Sequence, residues 1–369
     1  MFEVLRLNLS RLVDESYDIL IGFGLFEKIP AHLKDNPVGD KYAIITDSAL
    51  RGIYGENLLE RFNEEGVDAY LIDFPAGEES KNINTVVYLV KRLLRCGVDR
   101  RSAIIALGGG VVGDIGGFTA SVYMRGIPFI QVPTTLMAQV DSSIGGKTAV
   151  DMEEGKNLIG SFHQPRRVYI DPSLLKTLPR REYISGLAEV VKYGVICDPD
   201  LFEYLERNVD KIKSMDEGAL LHIIKRSCMI KKTIVEEDPL ERNKRVILNY
   251  GHTPGHAIER LTGYKCLHGE AISVGMRISG WIAVKKGFWS IDDWRRQNRL
   301  LESFSLPLKM DFSVNDLVEA LYYDKKVEGG KLMFVLPKRI GEMASINGRY
   351  KIPVSEDEVR IFLRELSEI

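Results

Sequence analysis

Hydrophobic positions follow two different rhythms along this chain. In the first half, short apolar runs alternate with segments whose apolar residues recur every three or four positions. Residues 42–45 read as a buried strand ending near Asp47, and residues 102–107 and 127–132 as two more. Between them, residues 84–95 place Val86, Val90, Leu93 and Leu94 on one helical face and stop at Gly97. Strand and helix in turn predict a parallel sheet with helices on both faces. Residues 1–9 alternate like a further strand. After Asp171-Pro172 the rhythm changes: residues 200–208 and 220–235 carry helical period, and strand-like runs become few. A chain of 369 residues exceeds what one core usually holds. The expectation is an α/β domain with a Rossmann-like parallel sheet over residues 1–172. A mainly α-helical domain over 173–369 follows it, with a cleft between them.

Composition narrows the function classes. Apolar residues make up 45%, charged residues 28%, and the formal charge is −2, so no global field points to nucleic acid or a membrane surface. An anionic ligand must be met by local clusters. No window offers the roughly 18 apolar residues of a membrane span, and the N-terminus lacks a signal-peptide pattern. The four cysteines are far apart, which argues against a disulfide framework and for a reducing, cytoplasmic setting.

A glycine-rich turn follows one predicted strand and opens a helix. Gly108, Gly110 and Gly113 satisfy G-x-G-x-x-G, the spacing that lets backbone N–H groups approach a pyrophosphate. The acidic residue expected at the end of the next strand is absent, because that strand ends in Gln131-Val-Pro-Thr134-Thr135. Asp47 or Glu78 would have to contact ribose instead, although on sequence grounds alone Asp47 reads rather as a helix cap.

Three of the six histidines, His252, His256 and His268, fall within seventeen positions. Such crowding points to metal ligation or proton transfer. Pro254 fits a first helical turn, which puts His252 just before a helix and His256 one turn inside, so these two rings need not converge. His252 with His268 is an equal alternative, with a carboxylate as third ligand. Glu189 is a candidate; at i, i+3 from Lys192 it reads also as half of an exposed ion pair. His32, His163 and His222 stand singly and read as ordinary side chains. Arg125, Lys147, Lys156-Asn157, Lys231, Arg245 and Lys325-Lys326 together suggest a small substrate with several negative charges.

These stretches resemble the 3-dehydroquinate synthase family of sugar phosphate cyclases, from about Asp47 to Pro337. The resemblance is carried by residues 75–81, the Gly108 turn, residues 125–135, 139–147 and 186–192, and the His252/His268 region. It implies one zinc, with cobalt as the alternative, on Glu189, His252 and His268. It implies NAD contacts at Asp47, Glu78, Lys81, Gly110, Val111, Val112, Gly113, Asp114, Thr134, Thr135, Lys147, Lys156, Leu174 and Thr177. Substrate would meet Arg125, Asp141, Lys147, Asn157, Lys192, Lys231, Arg245, Asn249, His256 and one of Lys325 and Lys326. Proton movement would fall to His256, Lys192 and Glu241. Departures from the family pattern are Pro254 between the two histidines, Asp238-Pro-Leu-Glu241, His163 and Asp151.

The reaction so implied turns 3-deoxy-D-arabino-heptulosonate 7-phosphate into 3-dehydroquinate and phosphate, a shikimate-pathway step leading to aromatic amino acids. It proceeds by transient oxidation, β-elimination of phosphate, re-reduction, ring opening and aldol closure, with no net consumption of NAD. The family also implies a homodimer in which Arg125 reaches the neighbouring subunit's site. Rival readings are a sister cyclase without a carboxylate clamp, a polyol dehydrogenase, and a non-catalytic NAD and zinc sensor.

Overall fold

The computed structural model describes residue 6 and residues 13–323, 327–328 and 331–369. The strand-like residues 1–9, Arg6 apart, and the candidates Lys325 and Lys326 lie outside the described residues.

The first part of the chain is built on a six-stranded parallel sheet. Its strands are β1 (Asp18–Ile21), β2 (Tyr42–Asp47), β3 (Ala69–Phe74), β4 (Ala103–Gly108) and β5 (Phe129–Pro133). A hairpin of β6 (Lys147–Met152) and β7 (Gly155–Phe162) intervenes before the sixth, β8 (Arg167–Ile170). The order across the sheet is β1-β8-β5-β4-β2-β3. Helices α1 (Ile29–Asp35), α2 (Glu56–Glu64), α3 (Ile83–Arg95) and α4 (Gly110–Val122) cover it.

Side-chain alternation decides which helices go where. Ala43, Ile45, Ile104 and Ala106 point to the face covered by α3 and α4. Tyr42, Ile44, Ile105 and Leu107 point to the face covered by α1 and α2. Because both faces are covered, β4 is buried at every position and reads as an unbroken apolar run. The chain runs outward from β2 to β3, then returns to β4 on the other side of β2. That reversal opens a crevice at the carboxyl ends of β2 and β4, where ligands of such sheets bind.

The second part is mainly helical: α5 (Arg180–Cys197), α6 (Pro199–Arg207), α7 (Val209–Lys213), α8 (Glu217–Glu237), α9 (His252–Leu261) and α10 (His268–Lys285). Then come α11 (Ile291–Ser303), α12 (Val314–Tyr323) and, near the end, α13 (Glu356–Ser367). Helix α10 is buried from Ala271 to Ala283 and forms the centre. Two glycines let its neighbours approach it backbone to backbone. A Cβ on Gly269 would lie 1.8 Å from the Ser185 carbonyl oxygen of α5, and one on Gly275 2.0 Å from that of Gly251, which caps α9.

Strands are more frequent here than the sequence pattern suggests. Strands β9 (Val327–Glu328), β10 (Lys331–Val335) and β13 (Lys351–Val354) form one small sheet. Strands β11 (Pro337–Arg339) and β12 (Glu342–Met343) pair separately. Each is too short to leave a clear period-2 signal. Among the described residues, no helix is long and apolar enough to cross a membrane.

Candidate active site

Three helices deliver the metal candidates to one point. Glu189 lies midway along α5, while His252 and His268 are the first residues of α9 and α10. His252 thus opens its helix and does not precede it, because Gly251 takes a left-handed φ of 79° and supplies the cap. Glu189 Oε1 stands 3.7 Å from His252 Nε2 and 3.6 Å from His268 Nε2. The three ligand atoms lie within 4.8 Å of one another. The His256 ring sits 5.4 Å from that of His252, beside this group and not in it. The convergent imidazole nitrogens are therefore those of His252 and His268.

Lys192 does pair with Glu189, but the pair is not exposed: the two side chains are 1% and 0% accessible. Leu187, Val190 and Val191 bury around them and carry the pair inside. Neither Glu189 oxygen finds a hydrogen-bond partner of sound geometry. Glu189 Oε2 already meets the Lys192 ammonium, so it is Oε1, facing the two histidines, that a metal cation would satisfy. Gaps of 3.6–3.7 Å are too long for hydrogen bonds. They lie close to the roughly 3.4 Å between ligand atoms bonded tetrahedrally at about 2.1 Å to one ion. His252 Nδ1 meets the Tyr250 carbonyl at 3.1 Å and His268 Nδ1 meets Glu259 Oε1 at 3.2 Å. Each contact turns Nε2 toward Glu189. Burial opposes charge on His268, yet Glu189 and Glu259 lift its pKa to about 9, so this point favours a cation. The donor set fits a divalent metal.

A knot of cations adjoins it. Asp141, on the helical turn Ala138–Ser142, accepts from Lys231 Nζ at 2.8 Å and from the Tyr193 hydroxyl at 2.6 Å. Its backbone carbonyl accepts from the same ammonium at 2.6 Å. Burial would raise the Asp141 pKa, but Lys231 and Lys192 hold it well below the usual range. Lys231 is pulled down by burial, with Arg245 and Lys192 pushing the same way against Asp141. Arg245 is 1% accessible and donates to the carbonyls of Pro239 at 2.6 Å and Gly145 at 2.9 Å.

The Lys147 ammonium touches the Glu241 carboxylate. Partial burial and the charges of Arg245 and Lys231 disfavour its proton, Asp141 favours it, and the pKa falls to about 7. Glu241 also accepts from Asn249 Nδ2 at 2.5 Å. It sits in the left-handed region, at φ 57°, on a loop that Asp238 closes. The Asp238 carboxylate accepts the N–H groups of Arg242, Asn243 and Arg245 at 2.8, 2.7 and 3.0 Å.

The remaining candidates gather at the sheet crevice. Helix α4 starts at Gly110 with no side-chain cap, so helix geometry leaves the N–H groups of Gly110, Val111 and Val112 without intrahelical acceptors. The Val112 side chain is in the core, which leaves only its backbone to offer. Gly113 donates to the Gly109 carbonyl at 3.0 Å. Asp114 pairs with Lys81 at 2.6 Å, and Lys81 also donates to Asn157 at 2.7 Å. Thr134 N–H donates to Gly108 at 3.0 Å, and Thr135 Oγ1 accepts from Ala138 at 3.1 Å.

Asp47 ends β2 and caps the next turn through Ala49 and Leu50, at 2.9 and 3.0 Å, so it occupies both the crevice and the cap position. Glu78 pairs with Lys156 at 2.8 Å. The Tyr54 hydroxyl binds the Leu174 carbonyl at 3.0 Å and Thr177 Oγ1 at 2.7 Å. An uncapped helix start between strand ends, flanked by paired lysines, fits an anionic dinucleotide. Arg125 stands apart on an exposed turn at φ 70°, in no ion pair among the described residues. His32 and His163 bond to Tyr169 and to the Ile127 carbonyl, and His222 stacks on Tyr204. Tyr193 and Glu259 touch these groups and escaped the sequence reading, which named Asp238 only as part of a departure from the family pattern.

Family models of 3-dehydroquinate synthase match the chain in two parts, the N-terminal one over residues 71–185 and the C-terminal one over 186–327. A 3-dehydroquinate synthase of Desulforamulus reducens is 45% identical over 335 residues, 90% of this chain and 93% of the relative. The chain belongs to the 3-dehydroquinate synthase family. Two solved structures share its fold closely. One is a 2-deoxy-scyllo-inosose synthase complexed with carbaglucose-6-phosphate, NAD+ and Co2+. It is 31% identical, with a TM-score of 0.87 over 95% of this chain and 96% of the other. The second is a 2-epi-5-epi-valiolone synthase of Streptomyces hygroscopicus with NAD+ and Zn2+ bound. It is 29% identical, with a TM-score of 0.88 over 98% and 99% of the two chains. In the 3-dehydroquinate synthase family the chain thus keeps an α/β sheet followed by a helical part, as its hydrophobic rhythm implies.

Proposed function

We propose that this chain converts 3-deoxy-D-arabino-heptulosonate 7-phosphate into 3-dehydroquinate and inorganic phosphate, with NAD and a divalent cation as resident cofactors. The observation that carries the reading is the company the cations keep. Lys147, Lys192, Lys231 and Arg245 outnumber the carboxylates of Asp141, Glu189 and Glu241 among them, beside the Glu189–His252–His268 group. The excess suits a ligand with a phosphate at one end and a carboxylate at the other.

Glu189, His252 and His268 would hold zinc, or cobalt in its place; Asp47, Glu78, Lys81, Gly110 to Asp114, Thr134, Thr135, Lys147, Lys156, Leu174 and Thr177 would receive NAD. When bound, NAD supplies a transient oxidation and the metal supplies Lewis acidity at the substrate oxygens. The protein's own side chains do the rest. Arg245, buried and fixed by two carbonyls, contributes positive charge beside the anionic groups. Lys147, Lys231 and Asn157 orient the anionic groups, joined by Arg125 from a neighbouring subunit. Glu241, held by Asn249 and Lys147, accepts or returns a proton at its carboxylate. His256 does the same at a ring nitrogen, and Lys192 pairs with Glu189. Such acid–base help is worth roughly 10²–10⁴-fold. A division at residue 172, a homodimer and a cytoplasmic location belong to the same reading.

The test is phosphate release from the heptulosonate phosphate by the zinc- and NAD-loaded protein, with product identity and NADH absorbance followed together. Phosphate and 3-dehydroquinate without accumulating NADH are expected. Turnover of a heptulose phosphate or glucose 6-phosphate alone would move the chain to a sister cyclase, and NADH build-up without phosphate to a dehydrogenase.

A further inference from the structure

The metal reading explains Glu189, His252 and His268 but leaves one buried acid unused. Glu259, on α9 with a 3% accessible side chain, points its Oε1 at two partners. One is His268 Nδ1 at 3.2 Å and the other Lys156 Nζ at 3.3 Å. Lys156 in turn pairs with Glu78 at 2.8 Å and lies 4.8 Å from the Tyr264 ring centre. A line of contacts thus runs Glu78–Lys156–Glu259–His268, from the turn after β3, through hairpin strand β7, to the first residue of α10.

We infer that Glu259 is a positioning residue for His268, and that Lys156 clamps it from the far side of the cleft. The inference rests on the metal reading above. A neutral imidazole offers one nitrogen as donor and the other as ligand, and a carboxylate on Nδ1–H assigns those roles and fixes the ring plane. A purely structural ion pair would need only Lys156 and Glu78, both partly exposed. It would give no reason to bury Glu259 against a ring whose other nitrogen faces Glu189. His252 needs no such acid, because the Tyr250 carbonyl performs the task from its own chain segment.

The experiment is zinc affinity of the purified full-length chain, without dinucleotide, by competition with a chromophoric chelator. Visible spectra of the cobalt-loaded protein are recorded in parallel. Glu259→Ala should bind zinc about 10–100-fold more weakly, the range for lost partners of metal ligands. Glu259→Gln keeps an acceptor oxygen and should recover most of that loss. Lys156→Met frees the Glu259 carboxylate and should weaken zinc by less than Glu259→Ala does. Should Glu259→Ala fail to fold, Lys156→Met carries the test, and a zinc affinity in it equal to the parent's would overturn the inference. A folded Glu259→Ala protein with zinc affinity within a factor of about two of the parent and an unchanged cobalt spectrum would overturn the inference. A parent chain that binds no zinc would instead defeat the metal reading itself and this inference with it.

Discussion

Replacing Asp141 by asparagine and Lys231 by methionine removes opposite ends of one buried contact, yet the two changes should cost very different amounts. Asp141 is the acid against which four cations lean: Lys231, Lys192, Lys147 and Arg245. Asparagine keeps the size but leaves those cations without their shared counter-charge. Removing one partner of a buried pair costs about 3–5 kcal/mol, and we take about 3 because a quarter of the Asp141 side chain, 24%, reaches water. Lys231 is in the reverse position. Its charge is disfavoured by burial and by Arg245 and Lys192, so losing it relieves repulsion. Methionine fills the stem's volume, and Asp141 keeps Lys192 and the Tyr193 hydroxyl at 2.6 Å. The net loss should stay under about 1 kcal/mol. Urea unfolding at pH 7.5 measures both. Buffers must lack phosphate and sulfate, because a bound anion adds RT ln(1 + [L]/Kd) to the parent's stability. Equal losses, or a larger loss for Lys231→Met, would refute the charge argument and leave packing as the cause.

Other consequences are simpler to state. Lys147, with a pKa of about 7, sheds its proton as pH rises through neutrality, while a phosphate monoester is already a dianion there. Affinity for such an anion should therefore fall up to tenfold per unit above about pH 7 in calorimetric titrations, and Lys147→Arg should flatten that slope. Gly269→Ala forces a methyl against the Ser185 carbonyl, a clash of backbone with backbone. It should cost about 3 kcal/mol or more in urea unfolding, since neither side has a rotamer to yield. Glu358 pairs with Lys286 and caps α13 through Ser355, which together hold its pKa at about 2. The folded value lies below the unfolded one, so its contribution is complete above about pH 4.5 and is lost as pH falls toward 2. The parent's excess stability over Glu358→Gln in acid melting curves should vanish across that window, from under about 1 kcal/mol for so exposed a pair.

The fold was legible where one periodicity covers a whole element. Strands β2 and β4 and helix α3 announce themselves because both faces of the sheet are buried and the helix has one apolar stripe. The hairpin of β6 and β7 does not, since much of β7 faces outward and Gly155 and Gly160 interrupt its pattern. The site was legible as types of residue, and through the family resemblance as positions, but not as distances. Spacing along one helix set His256 against His268 as partner of His252; only the packing of α5, α9 and α10 brings Glu189 between His252 and His268. Glu259 gave one faint signal, an acid beside Ile258 in a helix whose other inward positions, Thr253 apart, are apolar. Tyr193 gave none, because a tyrosine after a buried lysine is equally at home in any core.

The glycine contacts of α10 have a meaning for redesign. Where helices touch through side chains, changing a ligand also changes the distance between the elements that carry it. Here α5 and the start of α9 rest on α10 main chain to main chain, at Gly269 and Gly275. Their separation is therefore independent of what stands at positions 189, 252 and 268. The helices act as a jig, into which other ligand sets can be fitted while the jig keeps its dimensions. A cysteine or aspartate exchanged for either histidine would meet the same spacing, and the preferred metal would follow from donor chemistry alone.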